Sequence, residues 1–239
     1  MLGIGAGIDT LATARRGAIF SPLDLAPRAW FDPSDMGGLF QDSTATQPVT
    51  GDGDPVGAML DRSGNGAHLL QSAAARRPIY REGGGQRWLE FDGMDDILTA
   101  ALPLAQPASV IFAIETITPG SGATGDIVLG GTASTVTLEI DEAISIYAGA
   151  QLVSPVAPQP GDQMVLTAVF NGSGSQLRKD GAVIASGNPG TSSSASFSLG
   201  DNGFGRHARM RCFGLAIYGL LSESDTRKVE GWIARRLGL

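Results

Sequence analysis

Cysteine, histidine and aromatic residues are scarce in this chain of 239 residues. The single cysteine, Cys212, lies in the apolar run MRCFGLAIYG, where we expect a small buried side chain that has no partner for an internal disulfide. The two histidines, His68 and His207, are too isolated to build a catalytic triad or a metal cluster. This scarcity excludes a disulfide-stapled scaffold and the common zinc sites.

Long apolar runs and basic clusters are also missing. No stretch approaches the roughly 18 apolar residues that span a bilayer, and the first residues lack the basic start and sustained apolar core of a signal peptide. We therefore predict synthesis in a cytoplasm without membrane insertion. The net charge is −7 and there is no basic stripe, which argues against a nucleic-acid partner.

Glycine, in contrast, is abundant, with 34 residues. Glycine is costly inside helices and useful in tight turns, so this content favours many short strands. Apolar residues make up 42% of the chain and charged residues 17%, a balance that predicts an ordered core rather than disorder. The length suits one large all-β domain or two smaller domains.

From Trp30 onward, short apolar segments alternate with turn residues. Turn signals recur about every 8 to 12 residues, which is typical of β-sandwiches. Asp180-Gly181 gives the clearest hairpin, because this pair tolerates the positive φ angles of a two-residue turn. The predicted strands are AMLD, AHLLQ, WLEF, ILTA, SVIFAIE, TVTLEI, ISIYAG, MVLTAVF, QLRK, AVIAS, ASFSLG and MRCFGLAIYG.

The two ends of the chain differ from this pattern. LSESDTRKVEGWIARRLGL predicts a helix with Ser222 as N-cap, Arg235 and Arg236 in its last turn and Gly238 as its stop. Its apolar stripe consists of Val229, Trp232, Ile233 and Leu237. Residues 1–26 are small and rich in glycine and alanine, and we interpret them as an attachment segment that precedes a domain over 27–239.

The order of the motifs resembles that of the concanavalin A-like (laminin G-like) jelly-roll domains found in bacteriophage tail and virion-appendage proteins and in some bacterial surface proteins. The motifs that carry the resemblance are AWFDPSD, LDRSGNGAHLLQ, RPIY, LEFDGMDDIL, ISIYAG, LTAVFNGSGSQLRKDGAVIASG and the C-terminal helix. The resemblance implies two packed antiparallel sheets, with carbohydrate sites on one face or rim, sometimes with calcium. Because the fold hosts lectins, glycosidases and structural domains alike, it leaves the function open.

Glycosidases of this fold carry acidic residues at alternate positions of one strand, so that two carboxylates flank the same bond. In LEIDEA, Glu139 and Asp141 share a face, but the next acid, Glu142, points the other way. The pattern is broken by one residue, and DEA equally suits a hairpin turn between TLEI and ISIY. This favours a turn over a catalytic strand.

Two acidic stretches are calcium candidates. Asp61, Ser63 and Asn65 alternate like ligands of a calcium loop, but these residue types are also the standard turn formers. In RWLEFDGMDDIL, Leu89 and Phe91 should face the core, while Asp92-Gly93 should begin a turn. Asp95 and Asp96 follow in that turn and are weak calcium candidates, together with Asp61. We expect turns whose side chains cap the backbone at both places.

Trp88 and Tyr147 are the weak candidates for carbohydrate binding, because both alternate with core-facing neighbours. Outward aromatic rings stack on sugars, but they equally pack under a loop or against another subunit. The sequence thus predicts a non-enzymatic virion protein of tail, tail-tip or fibre type that binds host surface carbohydrate. The alternatives are a polysaccharide-degrading hydrolase or lyase and a purely structural virion domain. The expected partners are other virion proteins, through the N-terminal segment, host polysaccharide and further copies of the chain.

Overall fold

The structure is a computed structural model that describes residues 20–118, 126–131, 135–201 and 205–239. Over this part of the chain, 17 strands form two antiparallel sheets, and one α-helix lies near the C-terminus. The predicted all-β sandwich with a C-terminal helix is confirmed. No helix in the described ranges is long and apolar enough to cross a membrane.

Sheet I has eight strands, and all its pairs are antiparallel. Seven of them lie in the order β15-β14-β13-β8-β17-β6-β5, and β1 pairs with β17 beside this path. The strands are β1 (Ala29–Phe31), β5 (Ile79–Gly83), β6 (Gln86–Asp92), β8 (Ala108–Thr116), β13 (Gln163–Phe170), β14 (Ser175–Lys179), β15 (Ala182–Gly187) and β17 (Arg209–Tyr218).

Sheet II has nine strands, in the order β12-β11-β10-β9-β16-β7-β4-β3-β2. Several of its strands have only two or three residues, as expected from the dense turn signals of the sequence. The strands are β2 (Leu39–Phe40), β3 (Ala58–Met59), β4 (Leu69–Leu70), β7 (Leu98–Ala100), β9 (Asp126–Gly131), β10 (Thr137–Ile140), β11 (Ile144–Tyr147), β12 (Gln151–Val153) and β16 (Phe197–Leu199).

The main core lies between the sheets, and β8 shows how the sequence builds it. Val110, Phe112 and Ile114 point between the sheets, and burial of each such side chain stabilises the fold by about 2 kcal/mol. Ile111 and Ala113, on the opposite face of β8, belong to a second apolar cluster outside sheet I. The unbroken apolar run SVIFAIE therefore reflects a strand that is buried on both faces.

Helix α1 (Glu223–Ala234) covers this outer face of sheet I. Ser222 is the N-cap, as predicted, because its Oγ accepts the N–H of Asp225 at 3.1 Å. The predicted apolar stripe of the C-terminal segment is buried; it consists of Val229, Trp232, Ile233 and Leu237.

The helix ends at Ala234, earlier than the predicted stop at Gly238. Arg235 donates to the carbonyl of Gly231, as expected of a cation in the last turn. The guanidinium of Arg236 instead lies 4.3 Å from the ring centre of Trp232 and pairs with Asp32 at 2.7 Å. This contact holds the C-terminal residues on the sandwich after the helix has ended.

Of the predicted attachment segment, residues 1–19 lie outside the described residues, and its role stays a prediction. The following residues pack on the domain through a 3₁₀ turn, Pro22–Leu25, capped by Ser21. The carbonyl of Pro22 accepts the hydroxyl of Tyr218 at 3.2 Å, and Phe20 packs against the second apolar cluster. Residues 20–26 are therefore part of the folded structure.

Candidate functional site

The outer face of sheet II presents polar side chains between core-facing neighbours. Leu69 and Leu98 are fully buried in the core, so Leu70 and Thr99, which follow them on β4 and β7, point outward. Leu70 is 41% exposed, and Thr99 is also exposed. The same alternation places Glu139 of β10 on this face, because Leu138 and Ile140 lie in the core.

An open groove of about 450 Å³ lies over β4 and β7. This volume falls within the usual range of small-molecule sites. The hydroxyls of its serines and threonine make no hydrogen bond within the described residues. We call this cavity the sheet groove; its lining consists of Ser43, Leu70, Gln71, Ser72, Arg76, Ile97 and Thr99.

Backbone contacts hold the wall of the sheet groove in place. The side-chain amide of Gln71 donates to the carbonyl of Ile97 at 3.0 Å. The backbone N–H of Ile97 in turn donates to the carbonyl of Arg76 at 3.2 Å. The guanidinium of Arg77 donates to the carbonyls of Gln71 and Ser72 at 3.1 and 2.9 Å. A wall fixed in this way loses little conformational entropy when a ligand binds.

Three carboxylates lie in the loop between β6 and β7, which leads to the groove residue Ile97. Oxygens of Asp92, Asp95 and Asp96 lie within 4.8 Å of one another. As predicted, the loop is a turn capped by side chains, because Asp92 accepts the N–H of Met94 and Asp96 accepts the N–H of Asp92, at 2.8 and 2.9 Å. Arg76 joins this loop to the groove by donating to the carbonyl of Asp95 at 3.1 Å.

Asp96 is 5% exposed, and burial raises its pKa to about 6, with a further contribution from the negative charges of Asp92 and Asp95. Three acidic oxygens at this spacing suit a hard cation such as calcium, although calcium prefers six to eight oxygen ligands. Calcium binding at Asp95 and Asp96 stays a prediction.

Asp61 lies outside this carboxylate group and has a different role. Its two oxygens accept the N–H groups of Trp30, Ser63 and Ala67 and the hydroxyl of Ser63, at 2.6 to 3.1 Å. Burial alone would raise its pKa, but these hydrogen bonds hold the pKa below the ordinary value of 3.8. The predicted turn is confirmed, and its carboxylate accepts three backbone N–H groups and one hydroxyl.

Glu139 is buried beside a cation on the outer face of sheet II. Its oxygens accept the hydroxyl of Thr137 at 2.6 Å and the guanidinium of Arg206 at 3.2 Å. Asp141 lies in the turn between β10 and β11, where it caps the N–H of Glu142, so the predicted hairpin is confirmed. Asp141 therefore lies outside β10, and Glu139 is the one acidic residue of that strand.

Three strand spacings, about 14 Å in total, separate β10 from β7. The carboxyl groups of glycosidases lie roughly 5 to 10 Å apart, so Glu139 is too far from the loop after β6 to act with its aspartates. Within the described residues, Glu139 therefore forms no pair of glycosidase spacing with the aspartates of that loop.

The predicted aromatic candidates lie on different sheets. Trp88 of β6 is half-buried outside sheet I, with its ring centre 5.7 Å from that of Phe213 and 5.2 Å from the guanidinium of Arg211. Tyr147 is half-buried on the outer face of sheet II, opposite Thr137 and Gln151. The two rings cannot form one platform, and a contact of either with sugar stays a prediction.

Sequence reasoning missed the sheet groove. The alternation in AHLLQ and ILTA was available and indicates that Leu70 and Thr99 point outward. The pairing of Leu70 with Thr99, which brings them together from distant parts of the chain, follows only from the sheet topology. Arg76 reaches the groove through a 3₁₀ turn, Ala74–Arg76, that carries no strong sequence signal.

No protein-family model matches the chain, and no curated protein matches it. Among solved structures, Trypanosoma rangeli sialidase in complex with 2,3-difluorosialic acid matches with a TM-score of 0.57 at 13% identity, over 92% of this chain and 35% of the sialidase. The receptor-binding domain of botulinum neurotoxin type G matches with a TM-score of 0.55 at 13% identity, over 72% of this chain and 48% of that one.

Domain 4 of AbnA, a GH43 extracellular arabinanase from Geobacillus stearothermophilus, in complex with arabinotriose, matches with a TM-score of 0.53 at 15% identity. That alignment covers 69% of this chain and 88% of the arabinanase domain. The chain spans about a third of the length of the sialidases that it matches. At these identities the likeness shows a shared β-sandwich fold.

Proposed function

We propose that this protein binds carbohydrate without cleaving it, and that the sheet groove is its ligand site. The observation that carries the proposal is the groove itself: an open cavity of about 450 Å³ with hydroxyl side chains around the exposed Leu70. Sugars present hydroxyl groups and apolar C–H faces together, and the groove offers a partner for each.

The chemistry of the groove distinguishes binding from catalysis. Ser43, Ser72 and Thr99 supply hydroxyls, and Arg76 supplies the cation. None of these groups is a carboxylic acid that could protonate a glycosidic oxygen. Domain 4 of the arabinanase, aligned over 88% of its length, was solved with arabinotriose, which supports a carbohydrate ligand for this chain.

The experiment is to fill the sheet groove. Thr99→Trp places an indole over β7, where a large aromatic side chain suits a strand, and we expect at least tenfold weaker binding to the glycans that the unmodified protein selects on an array. Thr191→Trp, at an exposed threonine away from the groove, is the matched control and should retain binding. An array that stays blank with the unmodified protein, with and without calcium, would overturn the proposal.

The second candidate function is a glycoside hydrolase or lyase, which the outward position of Glu139 favours. Its carboxylate is held by Arg206 and Thr137, which suits a structural ion pair better than a proton donor. Incubation with host polysaccharide should produce no new reducing ends. New reducing ends that disappear with Glu139→Gln would establish the enzyme instead.

The finer proposal is that the protein is a virion component of tail, tail-tip or fibre type that recognises a host surface. Its support is the order of sequence motifs, from AWFDPSD to the C-terminal helix. Deletion of residues 1–19, which keeps the packed residues 20–26 in place, tests the attachment role, because the shortened protein should then be missing from assembled particles. Normal incorporation would contradict that role and leave the carbohydrate proposal intact.

A further inference from the structure

The free edges of the two sheets differ in what covers them. An edge strand exposes backbone N–H and C=O groups that invite pairing with another strand, and proteins usually protect such edges. Strand β1 is protected by the Asp61 turn, because Trp30 donates its N–H to Asp61 and accepts the N–H of Arg62 at 2.8 Å.

The edges at β5 and β2 are covered by neighbouring loops. Along β5, Tyr80 donates to the carbonyl of Asp54 and accepts the N–H of Gly53, at 2.8 and 2.9 Å. Along β2, Leu39 accepts the N–H of Val49 at 3.0 Å, and Phe40 bridges to Pro48. Strand β12 has three residues and is followed closely by Pro155, so it offers little length for pairing.

Strand β15 is twice as long as β12 and has no loop paired along its outer side within the described residues, although a register shift against β14 marks a bulge at Ile184. Its six residues, AVIASG, contain no charge and no proline. Within the described residues its backbone pairs only with β14, and its other side is left open. Val183 is 49% exposed in this strand. Proteins generally avoid an uncharged edge strand of this length unless it pairs with another strand.

We propose that β15 pairs with β15 of a second copy of this chain, antiparallel and about a two-fold axis. The two eight-stranded sheets would then join into one continuous sheet. This pairing is the β-strand addition by which extended segments dock on sheet edges, with main-chain hydrogen bonds as the attraction. A two-fold contact is also closed, so it yields a dimer rather than a fibre.

The charges around β15 favour a second copy as the occupant. The chain carries a net charge of −7, so association at most surfaces is opposed by repulsion. Residues 182–189 are uncharged, and Lys179 pairs with Asp180 at 3.0 Å in the hairpin tip, which makes the tip neutral. In the antiparallel arrangement each tip lies at the far end of its partner's strand, so like charges stay apart.

Sedimentation of the full chain from micromolar to millimolar concentration tests the proposal. We expect a reversible monomer–dimer equilibrium that added salt strengthens, because salt screens the net negative charge. Amide hydrogen exchange should slow, as concentration rises, at those residues of 182–187 whose N–H groups point away from β14, since pairing covers them. A single monomeric mass throughout would overturn the proposal, as would a dimer without this protection.

Two matched variants place the contact on β15. Val183→Lys introduces the kind of edge lysine that blocks strand pairing, and it should weaken the dimer at least tenfold. Leu23→Lys introduces the same charge at an equally exposed apolar residue, 49% exposed like Val183, in the 3₁₀ turn beside β17, and should leave the dimer unchanged. Equal weakening by both variants would assign the effect to charge alone and reject the β15 contact.

Discussion

At the scale of single residues, the acidic side chains have separate roles that their spacing in the sequence does not reveal. Asp61 and Asp96 are both nearly buried, yet the pKa of Asp61 is lowered and that of Asp96 is raised. The difference follows from their partners: Asp61 accepts four hydrogen bonds, whereas Asp96 is buried beside two other carboxylates. One residue type thus stabilises the fold at one place and opposes it at the other.

Asp61→Ala should lower the free energy of unfolding by about 1–3 kcal/mol, because it leaves buried N–H groups without acceptors. Since the folded-state pKa of Asp61 is lowered, its contribution is full above the unfolded pKa of about 3.8 and is lost as pH falls further. Urea unfolding at neutral and acidic pH measures both effects. An Asp61→Ala variant as stable as the unmodified protein at neutral pH would contradict this role.

Asp96→Asn should instead raise the free energy of unfolding. Its amide oxygen can still accept the N–H of Asp92, and the change removes a charge that costs stability above pH about 6. We expect a gain of about 1–3 kcal/mol at neutral pH that disappears below pH about 4. Thermal unfolding of both proteins across this pH range, in the presence of a metal chelator, measures this difference in stability. Added calcium should raise the melting temperature of the unmodified protein more than that of the variant, if the predicted ion binds here.

At the scale of elements, α1 is joined to sheet I by a buried ion pair as well as by its apolar stripe. Arg178 of β14 is 1% exposed and donates to Glu230 at 2.8 and 3.2 Å, while Thr167 donates to the same carboxylate at 2.8 Å. The sequence predicts the helix, its N-cap and its apolar stripe. It does not predict this pair, because 52 residues separate the partners along the chain.

Glu230→Gln should destabilise the protein by about 3 kcal/mol, because it leaves a buried guanidinium without its main counter-charge. Glu223→Gln removes the other carboxylate that contacts Arg178, but Glu223 is exposed, so its effect should be clearly smaller. Guanidinium-chloride unfolding of the two variants gives the comparison. Equal losses would mean that the buried pair contributes no more than the surface contact.

The β14–β15 hairpin is an element whose structure follows from its local sequence. Asp180 and Gly181 adopt φ angles of 50° and 81°, as the two-residue turn requires. The same local reasoning identifies AVIAS as a strand but cannot say whether it lies inside a sheet or at its edge. That distinction, on which the proposed dimer depends, is a property of the sheet order.

At the scale of the whole molecule, Cys212 reports on cooperative unfolding. Its thiol is fully buried in β17, and burial raises its pKa to about 12. We expect a thiol reagent to modify the native protein at least a thousandfold more slowly than the unfolded chain, because the open state of a stable domain is rare. Rapid modification under native conditions would show that β17 opens locally.

The proposed dimer also has a consequence at this scale. A two-fold dimer carries two sheet grooves, one on each subunit. Binding of the dimer to a polysaccharide surface would therefore gain avidity without any new contact. On immobilised glycan, Val183→Lys should therefore dissociate faster than the unmodified protein while its groove remains intact.

The sequence alone determined the properties that depend on local periodicity: the short strands, the Asp-Gly hairpin, the capped helix and the inward pair Leu89 and Phe91. These follow from backbone geometry and from the burial of alternate side chains. The tertiary structure decided which strands are neighbours. Only that order brings Leu70 beside Thr99, separates Glu139 from the acidic loop and leaves β15 uncovered, because contacts between distant segments depend on the path of the whole chain.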